Sequence, residues 1–212
     1  MYKIPVSLVL CFMLLESCHV HSVEIGGQIW KNKNLNVCHY RNLKKIPEAK
    51  TKEEWLKYGK EGKGCWCYDS VTYNRRKAYG RIYNWYAVNN KRGLAPLGWR
   101  VPYANEWETL FNSCGGETMA GRALKSTKLW RPEPGAPCPG IDSFGFNAIP
   151  GGSRDTNGFF TDGNAYATWL TATSNADYPY AANRGLAWDR CNVGKTEDLK
   201  SYGYSVRCVK GR

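Results

Sequence analysis

Apolar residues recur at helical spacing in the first part of this chain and cease to do so after Ser126. Thr51-Lys52-Glu53-Glu54 is a capping box followed by Trp55, Leu56 and Tyr58, with Gly59 as a stop. Tyr79, Ile82, Tyr83 and Tyr86 fall at i, i+3, i+4 and i+7, which predicts a second helix ending near Asn89 and Asn90. Trp107, Leu110, Phe111 and Cys114 repeat that spacing up to Gly115-Gly116, and Met119 to Lys125 suits one more short turn. Beyond Ser126 four short strands are expected between turns rich in Gly, Asn and Asp: 145–149, 167–173, 185–188 and 204–209. Helices first and strands last, without βαβ alternation, means α+β.

The 212 residues suit one domain and bury enough surface to fold without a metal or a disulfide. Nine Trp, 14 Tyr and six Phe are more aromatic surface than a core of this size needs. The 22 Gly and ten Pro are spread along the chain, so they mark turns and not a linker.

Residues 1–22 have the form of a signal peptide, leaving 23–212 as the single domain. Met1-Tyr2-Lys3 carries one positive charge, and Ile4 to Leu15 is an apolar run too short for a stable membrane anchor. Val20-His21-Ser22 suits cleavage after Ser22. Leu15-Glu16-Ser17-Cys18 has the outline of a lipobox with Glu16 out of place, and a lipid on Cys18 is the one membrane link expected. Export, to a cell surface, outer membrane or extracellular space, makes disulfides the expected state of the seven later cysteines. Seven is odd, so one thiol is free or pairs between molecules. Cys65 and Cys67 are too close to bond each other, whereas Cys191 and Cys208 bracket a short segment and suit a strand-to-strand bridge. A metal site from Cys38, His39, Cys65 and Cys67 has the wrong spacing for a zinc ribbon.

Charge is unevenly distributed. Residues 31–100 hold 17 Lys and Arg against five Asp and Glu, and the rest of the chain is neutral. Such a field is either a solvated face or a site for an anionic partner, and export excludes nucleic acid in favour of an envelope polymer or lipid surface.

The order of several motifs resembles one family. Ile25-Gly-Gly-Gln-Ile-Trp30 with Asn34-Leu35, Tyr79-Gly-Arg-Ile-Tyr-Asn-Trp-Tyr-Ala-Val88, Ala95-Pro-Leu-Gly-Trp-Arg-Val-Pro102, Glu106-Trp107, Ala120-Gly121 with Leu124-Lys125, Phe144-Gly-Phe with Pro150-Gly-Gly, and Ser205-Val-Arg-Cys208 follow one another along the chain. This is similar to the Fibrobacter succinogenes major paralogous domain, and the likeness covers nearly all of 24–212. The resemblance implies an exported or surface protein of bacteria. Its ending also resembles the C-type-lectin-like and formylglycine-generating-enzyme group, which implies helices packed on small irregular antiparallel sheets with long loops. By that resemblance the stretch from Trp99 to Trp107 is a structural corner: Glu106 stands in the first turn of a helix, where it favours the N-terminus and reaches back to the backbone. Tyr103 stands where a Ser or Thr cap is expected, and Arg100 is left to pair with a carboxylate or a carbonyl.

An enzyme is not expected. Only His39 lies beyond the leader, which leaves a Ser-His-Asp or Cys-His arrangement one unsupported residue. The formylglycine-generating likeness raises a thiol oxidase with Cys191 and Cys208 as its copper-binding pair, but their surroundings do not repeat that enzyme's pattern. No cofactor is otherwise expected. Binding is the stronger class, with glycan or anionic envelope polymer as ligand. Trp169, Trp188, Tyr166 and Tyr178 would stack on sugar rings, and Asp155, Asn157, Asp162 and Asn164 would bond hydroxyls. Asp155, Asn157 and Asp162 also alternate as hard-cation ligands do, yet no closing Glu follows, so an Asx-stabilised turn is the plainer reading. The rival from another class is a structural adhesion or matrix subunit that binds proteins.

Overall fold

A computed structural model describes residues 21–69, 76–131, 135, 137–161, 163–175 and 177–211. Of the sequence readings, residues 1–20 of the 1–22 signal peptide, Cys18 with its lipid among them, and Asp162 lie outside the described residues, while His21 and Ser22 are described, Ser22 opening the first strand.

The elements run β1 (Ser22–Ile25), β2 (Gln28–Lys31), α1 (Lys52–Lys60), β3 (Trp66–Cys67), α2 (Arg76–Tyr79), β4 (Ile82–Asn84), α3 (Trp85–Val88), β5 (Trp99–Arg100), α4 (Ala104–Ser113), α5 (Ala120–Leu124), β6 (Ser153–Arg154), β7 (Phe160–Thr161), β8 (Tyr166–Ser174), β9 (Tyr180–Ala187), β10 (Val193–Leu199), β11 (Gly203–Tyr204) and β12 (Val209–Lys210). The strands form three sheets, in the orders β1-β2-β12-β5, β3-β4-β11-β6-β7 and β10-β9-β8. Every strand pair in them is antiparallel. Short helices on antiparallel sheets agree with the α+β expectation at that level. Among the described residues no helix is long and apolar enough to cross a membrane.

Local signals hold where they are complete. The Thr51 capping box forms in both directions, and α1 buries Trp55. On α4 the predicted stripe is the buried face, with Trp107, Leu110 and Phe111 all out of contact with water. Trp107 packs on Trp30 at 4.9 Å and on Trp169 at 5.3 Å between ring centres, with Phe146 against all three. This aromatic block is the heart of the larger core.

Three expectations are corrected. The stripe from Tyr79 to Tyr86 is not one helix but the end of α2, then β4 and α3. Gly80 adopts φ +78, and a Cβ there would stand 2.8 Å from the Leu35 carbonyl. Asn84 then caps a new turn by accepting from Ala87 N–H, and Tyr83 hydrogen-bonds Val37 instead of a helical neighbour. Residues 145–149 make only an isolated bridge, Lys125 to Ala148, because the Arg207 guanidinium takes the Phe146 and Asn147 carbonyls that a ladder would need. The disulfide joins Cys138 to Cys191, not Cys191 to Cys208. Cys208 is fully buried beside β12, between Val206 and Val209 in the core, and Cys38, Cys65, Cys67, Cys114 and Cys208 are free thiols.

Cations run through the interior. Arg207 is wholly buried and donates to Asn34 Oδ1, Lys31 O, Phe146 O and Asn147 O, with its guanidinium 4.5 Å from the Phe146 ring centre. Burial pushes its pKa down to about 9, so it remains charged at neutral pH. Lys125 Nζ lies within hydrogen-bond distance of four carbonyls, those of Cys138, Ala187, Trp188 and Arg190, which share its three N–H groups. Its ammonium thereby gathers the segment around the Cys138–Cys191 bridge, although desolvation lowers its pKa to about 8.

Buried thiols resist ionisation: desolvation raises Cys67, Cys114 and Cys208 to about 12. Of the free cysteines above, only Cys38 is partly exposed. Native-state alkylation followed by peptide mapping should therefore label Cys38 first, leave the other four until the protein unfolds, and recover Cys138 and Cys191 as one disulfide-linked peptide pair.

Candidate functional site

The three-stranded sheet has two faces that the register separates cleanly. Trp169 lies opposite Arg184 and Ala167 opposite Leu186, so these side chains share the face that packs on α4 and the aromatic core. Arg184 ties that face to α4 through Glu108 at 2.9 Å, and Lys195 on β10 joins both Glu108 and Glu117. On the other face lie Tyr166 and Ala187, then Thr168, Gly185 and Gly194, then Asn183 and Thr196. Residues directly opposite in antiparallel strands point the same way, so Gly185 facing Gly194 leaves a place with no side chains at all.

That gap is the floor of a groove of about 200 Å³. Tyr166 stands at one edge, 38% exposed, and Arg190 and Asn192 are exposed at the same end. At the other end Thr196 Oγ1 donates to Asn183 Oδ1 at 2.6 Å, Asn183 Nδ2 donates to Asp198 Oδ2 at 2.7 Å, and Tyr204 OH donates to the same oxygen at 2.8 Å. Desolvation and the Asp198 charge together push the Tyr204 phenol above its ordinary range, so it stays a donor. The chain of bonds fixes each side chain's orientation, which leaves a rigid polar end, an apolar floor of backbone and one aromatic wall. Chemically the groove can accept and donate hydrogen bonds and stack against a flat face. The glycines are not sterically required: an added Cβ at Gly185 meets nothing nearer than 3.5 Å, and at Gly194 nothing nearer than 3.6 Å. They keep the groove empty and are not forced by the backbone.

Of the described residues expected to bind ligand, Tyr166 alone lines this groove. Trp169 is corrected: it is 1% exposed, its ring is stacked on Trp107 and its Nε1 donates to Asn34 Oδ1 at 2.9 Å. Alternation along β8 puts it on the inward face with Ala167. Trp188 is half-buried with its ring against Arg131 at 5.4 Å, and its carbonyl belongs to the Lys125 cage. Tyr178 is 61% exposed at the β8–β9 hairpin, beside Tyr180. Asp155 closes its own turn by accepting from Phe159 N–H, and its carbonyl holds Trp55 Nε1, which matches the Asx-turn reading. Asn157 and Asn164 are exposed, and neither lines the groove. Among the described residues no three His, Cys, Asp or Glu come together as a metal site. The dithiol expected of an oxidase is not formed, since Cys191 is bonded to Cys138 and Cys208 is sealed in the core.

Sequence reasoning missed Asn183, Gly185, Gly194, Thr196 and Asp198. Val193–Leu199 reads Val-Gly-Lys-Thr-Glu-Asp-Leu, which carries too little apolar signal to be read as a strand, and without that strand the paired glycines have no meaning. The corner does match its reading. Arg100 makes a two-pronged pair with Glu106, whose carboxylate also accepts from Tyr103 N–H at 2.9 Å, and α4 begins there.

Compared with known proteins, the chain matches the family model of the Fibrobacter succinogenes major domain over residues 23–210. No curated protein and no solved structure matches it.

Asp198→Ala should lower stability by about 1–3 kcal/mol, because Tyr204 OH and Asn183 Nδ2 lose their acceptor in a half-buried site. Asp198→Asn should restore part of that loss. Urea unfolding of both variants against wild type checks the ordering.

Proposed function

The chain belongs to the Fibrobacter succinogenes major domain family, and from that premise we propose that it is an exported, surface-associated, non-catalytic binding protein whose groove takes a sugar unit of a glycan or cell-envelope polymer. The observation that carries the reading is the facing pair Gly185 and Gly194, which opens a groove between an aromatic wall and a fixed hydrogen-bonding end. Sugar rings have apolar C–H faces that lie on aromatic rings and hydroxyls that need paired donors and acceptors. Tyr166 offers the first, and the Asn183–Asp198–Thr196 network the second. A volume of about 200 Å³ is below the range of drug-sized sites and suits one terminal unit of a longer chain. The C-type-lectin-like organisation implied by the sequence resemblance is part of this reading.

Phe159, Tyr178 and Tyr180 are exposed along with Tyr166 in the same half of the chain. Exposed aromatics there favour glycan over the protein-binding adhesion subunit, which would bind through a flat apolar patch with those aromatics buried.

A screen against glycans and envelope polysaccharides, at low and high salt, tests the proposal. Binding should survive high salt, fall at least about tenfold in Tyr166→Ala, and be lost in Gly194→Val, which fills the groove. The melting temperature of Tyr166→Ala should stay within a few degrees of wild type. Sugar binding that is indifferent to both substitutions would contradict the assignment of this groove.

A further inference from the structure

Nine of the 17 cations of the basic segment lie in two stretches that the groove does not use. Residues 31–47 carry Lys31, Lys33, Arg41, Lys44 and Lys45, and residues 81–102 carry Arg81, Lys91, Arg92 and Arg100, with no Asp or Glu in either stretch. The loops are locked together by Arg41. Its backbone N–H donates to Gly93 O at 3.0 Å, its Nε to Ala95 O at 2.6 Å and its Nη2 to Trp99 O. Gly93 lies in the left-handed region, and a Cβ there would meet the Arg41 side chain at 3.0 Å.

At the tips of the joined loops stand the two most exposed large apolar side chains of the described residues, Leu97 at 88% and Leu43 at 81%. Both border one cleft of about 510 Å³. Leu43 has φ +65, a conformation a leucine adopts only under constraint, and the turn around it is closed by Leu43 N–H to Tyr40 O and Tyr40 N–H to Lys44 O. Leu97 sits in the turn closed by Trp99 N–H to Pro96 O. Neither leucine gains anything from these positions in the folded protein alone. Around them Lys33, Arg41, Lys44, Lys45, Lys91 and Arg92 are exposed.

We propose that this face docks on a lipid bilayer rich in anionic headgroups, with Leu43 and Leu97 inserted among the acyl chains and the surrounding cations on the headgroup phosphates. The charge complementarity is one-sided: Arg100 is taken up by Glu106, but the exposed Lys33, Lys44, Lys45, Lys91 and Arg92 stand in stretches that contain no acid. The leucines decide between the polyanions that such a field could attract. A soluble phosphorylated or carboxylated polymer has no apolar layer for them, whereas a membrane interface takes apolar tips and cations together. The cleft shares no lining residue with the sheet groove, so the two surfaces can be tested apart.

Vesicle flotation with the full chain tests the docking. Every variant shares the wild-type N-terminus, so its contribution to lipid binding cancels. Wild type should bind phosphatidylcholine vesicles containing phosphatidylglycerol at least about tenfold tighter than pure phosphatidylcholine vesicles. Leu43→Asn with Leu97→Ser should lose most of that binding, since Asn tolerates the left-handed backbone and Ser suits an exposed turn. Lys44→Glu with Lys45→Glu should lose it as well. Far-UV dichroism and melting should match wild type in both. Equal flotation of the leucine variant would overturn insertion. So would absence of any preference for phosphatidylglycerol, or retention on soluble polyphosphate as tight as on vesicles and unchanged by the leucine substitutions.

Discussion

A guanidinium with no carboxylate bonded to it, sealed from water, is the constraint on which the rest of this molecule depends. Arg207 satisfies one side-chain amide oxygen and three backbone carbonyls drawn from residues 31, 34, 146 and 147. Loop carbonyls buried without a ladder must find donors elsewhere, and one planar cation with five N–H groups supplies several at once. The ring faces of Phe146 and Trp169 lie within 4.5 and 5.8 Å of it and offset part of the cost of burying the charge. Removing such a group would leave its acceptors unpaired, which is costlier than the net worth of the bonds.

The same device recurs. Arg154 is buried between Trp55 and Phe160 and donates to Ala49 O, Thr51 O and Gly158 O. Lys125 collects four carbonyls beside Trp130, and Lys200 holds Asn175 O and Tyr178 O beside Trp85. Composition follows from architecture here: short sheets and long loops need cations to close them, aromatic rings to house those cations, and glycines to turn between them. These four cations, Arg207 included, lie outside residues 31–100 and do not account for the basic excess of that segment. Its exposed lysines on the two stretches joined by Arg41 are left for a partner. With the loops fixed from within, a sheet face can leave two glycines opposite each other and still be rigid enough to bind.

What the sequence revealed was what local chemistry decides. The capping box of α1 and the apolar stripe of α4 are complete within about ten residues, and both were legible. The corner at Arg100 and Glu106 was implied by the family resemblance, and Arg100's choice of the carboxylate over a carbonyl was left to the structure. Gly80 and Asn84 broke the stripe from Tyr79 to Tyr86, since a left-handed glycine and a cap outrank periodicity. Trp169 reads as an ideal stacking residue until its strand's alternation is fixed by Arg184 and Leu186 on the neighbouring strand. The groove depends on cross-strand register, and the Cys138–Cys191 bridge on two residues 53 apart in sequence; neither is a property of any short stretch. Asn34 and Arg207 are 173 residues apart, and no pattern in either neighbourhood announces the bond between them.

Native-state hydrogen exchange on Arg207→Lys against wild type tests most directly whether this buried cation holds the fold. A lysine can reach only some of the acceptors that the guanidinium spans. The amides of Lys31, Leu35, Leu170 and Ser205, which bond across the segments that Arg207 joins, should lose protection together by about tenfold or more. Protection unchanged at all four would mean that the ladders and the aromatic core suffice, and that the buried cation is a passenger.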